Sequence, residues 1–202
     1  KILACIKNAA VDPRITGIYL DLTEIQSNFG ALAFTEEIRN ALAKFKESGK
    51  FIYSYSNLGY SQKSNYLATI ANKIFVNPET PLLLSGMSSN ISFYKETLEK
   101  LGIQAEVVKV GKFKSAVEPF ISTEMSEANR EQVKKYLDSS WGTITKAISA
   151  SRNIPVDSIN RLANHFDIYT TGQFKDWGYF DSIVYEDQML NILKEKCDLP
   201  AS

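Results

Sequence analysis

Histidine is almost absent from this chain. His165 is the one such residue, so a Ser-His-Asp or Cys-His site lying wholly within the chain would have to use it. It falls in Leu162-Ala163-Asn164-His165-Phe166-Asp167, at an apparent helix end, where a histidine commonly serves as a cap. Cysteine is scarce as well. Cys5 and Cys197 sit near opposite ends with no metal-ligand spacing around either, and they read as two unpaired, half-buried thiols rather than a terminal staple. No His/Cys/Asp cluster suits a metal, and no Walker or Gly-x-Gly-x-x-Gly sequence suits a nucleotide, so neither metal nor cofactor is expected. Charge of one sign is missing too: 23 Lys and Arg balance 23 Asp and Glu, which argues against a nucleic-acid surface or polybasic anchor. No apolar run approaches the length that spans a bilayer, and there is no signal-peptide pattern.

What is present is ordinary globular composition, with 44% hydrophobic and 23% charged residues over 202 positions. That is enough for one well-buried core, and the absence of low-complexity linkers, charge blocks and internal repeats predicts a single domain over 1–202. The chain opens at Lys1 inside what reads as a helix under way, so a fragment of something longer is expected.

Helix-like and strand-like periodicities alternate throughout, which predicts an α/β fold. Ile2, Leu3, Ile6 and Ala9 form a helical stripe ending before Asp12-Pro13. Ile15 to Leu22 reads as a buried strand. Thr35 can cap a helix carrying Ile38, Ala41, Leu42 and Phe45, with Gly49 past its end. Phe51 to Ser56 and Lys73 to Val76 read as strands flanking a helix over Gln62 to Ala71, and Leu82-Leu83-Leu84 as a short apolar strand. Ser92 to Leu101 predicts a helix with Phe93, Leu98 and Leu101 inward, stopped by Gly102. Ser126 opens the longest helix, reaching about Ala150, with Val133, Leu137, Trp141, Ile144 and Ile148 near helical spacing. Ile154-Pro155 starts another, and Tyr169 to Ile183 reads as a strand end, a capped helix, a glycine stop and a last strand. Short connections between β and α runs favour parallel strands.

The most informative stretch is Val110-Gly111-Lys112-Phe113-Lys114-Ser115-Ala116-Val117-Glu118-Pro119-Phe120. It follows the strand-like run Ala105 to Val110 and presents a lysine beside apolar residues. A lysine accepts a proton near neutral pH only when desolvation or nearby positive charge lowers its pKa well below about 10.4. Phe113, Val117 and Phe120 could supply the apolar wall, and Lys109 and Lys112 the charge. Read from spacing alone, such a lysine is solvated surface charge. Ser115 is adjacent, but neighbouring side chains on a strand or helix do not face each other, so the pair is poorly arranged for proton transfer. Glu118 could pair with a lysine or stay solvated. Ser61, Ser64, Ser85, Ser88 and Ser89 sit in no recognisable nucleophile turn.

This stretch closely resembles the lysine-bearing segment of signal peptide peptidase A, the protease IV family of Ser/Lys-dyad membrane proteases. The segment Ser61-Gln62-x-x-x-Tyr66-Leu67-Ala68-x-x-Ala71-Asn72-Lys73-Ile74 also resembles it, and the remaining strand and helix segments match in order. The resemblance implies a ClpP/crotonase-like fold of stacked β-β-α units with mostly parallel strands, and it makes Lys114 the general base. In the long type of this family the first repeat supplies the lysine and the second a Ser-Gly-Gly motif. Counting back from Ala71-Asn72 puts the serine position at Gln62, with Lys63 and Ser64 where glycines would be, and a glutamine amide is no nucleophile. The Gly-Gly loop that would donate an oxyanion-hole N–H has as its counterpart Leu22 to Gly30, without the pair.

The resemblance therefore implies the N-terminal half of a serine endopeptidase that degrades cleaved signal peptides and other apolar peptides. That half would be inactive alone, partnered by a serine-bearing repeat beyond Ser202 and assembled as a homo-oligomer, a tetramer by resemblance. It would work at the bacterial inner membrane on the extracytoplasmic side. The rivals are a degenerate repeat that scaffolds assembly, and a crotonase-type acyl-CoA enzyme, for which paired N–H donors in glycine loops are not evident.

Overall fold

A computed structural model describes residues 1–23, 32–80, 84–108, 111, 114–165 and 170–199. They fall into two compact units, one formed by residues 1–85 with 144–202 and the other by 86–143.

The first unit is built on a four-stranded parallel sheet in the order β1 (Gly17–Asp21), β2 (Phe51–Ser56), β3 (Lys73–Val76), β4 (Ser182–Ile183). Gly17 pairs with Phe51, Tyr53 with Lys73, and Phe75 with Ser182. Parallel neighbours need a crossover between them. Helix α2 (Leu32–Lys46) links β1 to β2, and α3 (Gln62–Ala68) links β2 to β3. Strand alternation sends successive side chains to opposite faces. Tyr53, Tyr55 and Phe75 share one face and pack with Met189, Ile192 and Leu193 of α9 (Glu186–Lys196). The other face presents Ile52, Ser54, Ile74 and Val76, all with no exposed surface. Such two-sided burial explains why these strands read as near-continuous apolar runs.

Several boundaries moved. Helix α1 (Ile2–Val11) stops where expected, its last carbonyls held by Lys50, whose Nζ donates to Ala9 O and Asp12 O at 2.7 Å each. Helix α2 starts at Leu32, so Thr35 is not its cap but a fully buried member of the stripe with Ile38, Leu42 and Phe45. Leucine and alanine at 32 and 33 are good helix formers, so nothing halts the helix at the threonine. Gly49, just past the end of α2, has φ +79°, the left-handed value a glycine stop adopts. Helix α3 ends at Ala68 rather than Ala71, because the chain tightens into Ile70 N→Leu67 O and Ala71 N→Ala68 O bonds. The strand expected at 82–84 lies mostly outside the described residues.

In the second unit, α4 (Lys95–Lys100) is shorter than expected and Leu101 is 69% exposed, so its apolar residues do not point into a core. Residues 105–108 form no strand, and Val108 is fully exposed. Helix α5 (Glu118–Ile121) precedes α6 (Glu127–Arg152), the long helix expected from Ser126 onward, whose Ile144 and Ile148 are buried in the first unit. Then come α7 (Val156–His165) and α8 (Thr171–Asp176). Helix α8 opens with a capping box between Thr170 and Gln173 and is followed by Gly178 at φ +81°. His165 is the exposed last residue of α7. Cys5 and Cys197 are both unpaired, Cys5 exposed rather than half-buried.

Candidate active site

Lys114 stands exposed immediately before a tightly folded turn. The turn is closed by Glu118 N donating to Ser115 O (3.0 Å) and Ser122 N donating to Glu118 O (2.9 Å). Pro119 near the start of α5 fits there because the first helical N–H groups have no partner to lose. Tyr94 N donates to Pro119 O at 2.6 Å, and the Tyr94 and Phe120 rings stack at 6.2 Å.

Glu118 is the side chain that organises this region. Only 4% of it is exposed. Its carboxylate accepts from Ser126 Oγ (2.6 Å), Ser126 N (3.3 Å) and Asn129 Nδ2 (2.9 Å). A buried carboxylate is costly unless it is hydrogen-bonded, and here it meets the N-terminal end of α6, where a negative charge also complements the helix dipole. Ser126 in turn caps α6, its Oγ accepting from Asn129 N at 3.2 Å. Sequence reasoning left Glu118 undecided between a lysine partner and solvent. The Ser126–Asn129 spacing was readable as a cap, but a carboxylate eight and eleven residues upstream of its partners was not.

Of the apolar wall expected around Lys114, Val117 is half-buried and Phe120 is 47% exposed. Phe113, Lys109 and Lys112 lie outside the described residues.

The position where a nucleophile is expected by resemblance is in the first unit, at the carboxyl end of β2. Gln62 is the first residue of α3 and Ser61 its N-cap. Ser61 Oγ accepts from Ser64 N at 3.2 Å and lies 3.0 Å from Ser64 Oγ, and Ser64 is 1% exposed. These two hydroxyls are thus engaged in starting a helix. Below them α3 is held rigidly: Tyr179 OH donates to Asn65 Oδ1 (2.8 Å), and Asn65 Nδ2 donates to Tyr60 O (3.4 Å). At its far end Arg39 donates to Tyr66 O and Thr69 Oγ1, and its guanidinium sits 4.9 Å above the Tyr66 ring. Burial holds the Arg39 pKa below its ordinary value, with Tyr66 and Tyr179 opposing. Lys46 Nζ donates to Ile70 O (3.1 Å), and burial, then Arg39 and Arg152, lowers its pKa. Cations at a helix C-terminus meet unsatisfied carbonyls. Ser85, Ser88 and Ser89 are exposed outside any helix or strand, and the stretch corresponding to the glycine-pair loop lies, after Thr23, outside the described residues. Among the described residues no group of three or more His, Cys, Asp or Glu could hold a metal.

Compared with known protein families, residues 44–200 match the model of "Peptidase family S49". The chain belongs to peptidase family S49. The α/β architecture with its parallel sheet is the ClpP/crotonase-like fold of that family, as the resemblance implied. Among curated relatives, "Protease 4" of Salmonella typhi is 39% identical over 155 residues, 76% of this chain and 24% of that protein. "Protease 4" of Haemophilus influenzae is 34% identical over 159 residues, 78% of this chain and 25% of that protein. The chloroplastic serine protease SPPA of Arabidopsis thaliana is 31% identical over 188 residues, 93% of this chain and 27% of that protein. The chain therefore spans about a quarter of the length of these relatives. These likenesses bear out the signal peptide peptidase A resemblance. Among the described residues no helix is long and apolar enough to cross a membrane.

Proposed function

We propose that this S49 chain is the lysine-bearing repeat of a Ser/Lys-dyad endopeptidase, with Lys114 as general base and the nucleophilic serine supplied by a second repeat. The observation that carries it is the division of parts. A lysine stands exposed at the head of a braced turn, while the position matching the nucleophile holds Gln62 at a helix start whose neighbouring hydroxyls are committed to capping. Neutral Lys114 takes the proton from the serine hydroxyl as it attacks the peptide carbonyl, then passes it to the leaving amine. For that the ammonium must be desolvated. The exposure of Lys114 in the single chain leaves this covering to the serine-bearing repeat. The substrates are cleaved signal peptides and other apolar peptides, met at the extracytoplasmic side of the bacterial cytoplasmic membrane, and the working enzyme is a homo-oligomer.

The test uses the full-length protein and this 202-residue chain side by side. A fluorophosphonate probe labels a serine in the full-length protein and leaves the isolated chain unlabelled. Lys114→Met in the full-length protein abolishes peptide hydrolysis, since removing a general base costs about a hundredfold to ten-thousandfold. It leaves the melting temperature unchanged or raised, because an apolar side chain carries no charge-burial cost. Labelling of any serine in the isolated chain, or near-parental turnover by Lys114→Met, overturns the reading; the second result would favour a scaffolding repeat.

A further inference from the structure

The carboxylate of Glu118 is the most completely buried charge near the proposed base, yet it faces the start of α6 rather than a substrate. Its three acceptor contacts, to Ser126 Oγ, Ser126 N and Asn129 Nδ2, tie α5 to α6. Its backbone closes the turn on both sides, back to Ser115 and forward to Ser122. Ser115, whose carbonyl this turn pins, directly follows Lys114. The lysine backbone is thereby fixed one residue from a point anchored to the end of a 26-residue helix. A long flexible side chain gains placement only from its root, so whatever fixes the root fixes where the amine reaches.

We infer that Glu118 is a positioning residue for Lys114: its buried carboxylate locks the lysine-bearing turn onto the N-terminus of α6 and so holds the amine at its place of proton transfer. The inference rests on the proposed role of Lys114. Reaction geometry is sensitive at this scale, since a displacement of about 1 Å can cost on the order of a hundredfold in rate. The proposed role needs the amine covered in the full-length site, and a loosened turn readmits water there, which favours the charged amine. A base works only when deprotonated, so the acid limb of the pH–rate profile must then move to higher pH.

The experiment measures kcat, KM, the pH profile and melting of the full-length parent, Glu118→Gln, Ser126→Ala and Lys114→Met on a peptide substrate. Glu118→Gln keeps shape and removes charge. It is expected to lower kcat about tenfold to a hundredfold with KM within about twofold, and to move the acid limb upward. Ser126→Ala removes the 2.6 Å contact and leaves those from Ser126 N and Asn129, so its changes run the same way and are smaller. If activity falls only in proportion to the folded fraction, with the limb in place, Glu118 is structural and the inference fails. Parental kinetics in Glu118→Gln with an inactive Lys114→Met overturns the inference alone. An active Lys114→Met removes the base reading itself. Should Glu118→Gln not fold, Ser126→Ala carries the same decision, because its limb either moves or stays.

Discussion

Two buried phenols in the first unit show how single residues set the conditions under which the fold persists. Tyr179 OH donates to Asn65 Oδ1 and Tyr60 OH to Phe75 O, at 2.8 and 2.6 Å. Burial pushes both phenols well above their ordinary pKa of 10.0, because an uncharged protein interior disfavours phenolate. A folded pKa above the unfolded one means that the stabilisation is complete below pH 10. It is lost as the pH rises through and beyond that value, since only the unfolded chain can then release its protons. Tyr19 and Tyr55 are raised by burial in the same sense. Lys46, held low by burial, works against them and gains stability with rising pH below its free value. The urea midpoint is therefore expected to hold from pH 7 to 9 and fall past 10. Tyr179→Phe should flatten that fall, while at neutral pH it costs about 1–3 kcal/mol by leaving Asn65 Oδ1 short of a donor. The idea fails if every tyrosine titrates near pH 10 by ultraviolet absorbance while the chain stays folded.

At the scale of elements, the pairing of β1 with β2 depends on a residue with no side chain. Gly17 lies directly opposite Phe51, and a Cβ at this position would sit 2.5 Å from the Phe51 ring. That ring also packs 4.8 Å from Tyr53 and under Lys196 at 6.0 Å, so it has neighbours on its other sides. Gly17→Ala is expected to destabilise by about 1–3 kcal/mol, the usual cost of overpacking, measured by urea unfolding; an unchanged midpoint would mean that the ring swings away freely. The strands at 51–56 and 73–76 were legible because β-branched and aromatic runs bounded by turn residues have few other readings. Helix ends were less so: Thr35 looks like a cap by residue type, and only the buried stripe at 35, 38, 42 and 45 reveals it as interior. Leu98 and Leu101 carry a helical pattern, but a pattern shows which residues would face a core and not whether a core is there. In the candidate site, the sequence points to Lys114 only through the resemblance of its motif. The bracing of its turn was not legible, because it depends on Glu118 meeting Ser126 and Asn129 across a chain reversal.

The whole molecule is uneven in how it spends its apolar residues. Residues 1–85 and 144–202 contain every buried hydrophobic side chain among the described residues, from Ile6 to Met189. Among the described residues of the second unit, 86–143, the buried positions are Glu118, Asn129 and Ser140, all polar. Six of its large apolar side chains face outward instead: Tyr94, Leu101, Ile103, Val108, Phe120 and Tyr136 are between 47% and 100% exposed. Scattered single apolar residues on a surface are normal. Six such residues on a unit with no fully buried apolar side chain among its described residues are not, and burial is the main favourable term available to hold it together. On the proposed function, this unit would acquire its core on assembly, against a serine-bearing repeat or against other copies. Symmetric oligomers commonly supply such cover. The isolated chain is then expected to self-associate through these residues, giving a concentration-dependent mass by light scattering. Replacing Leu101, Ile103 and Val108 together with serine should shift it toward monomer while leaving the urea midpoint of the sheet-bearing unit in place. A monomer at high concentration in the parent chain would instead mean that the second unit is stable with its apolar side chains in water, and the case for an assembly surface would be lost.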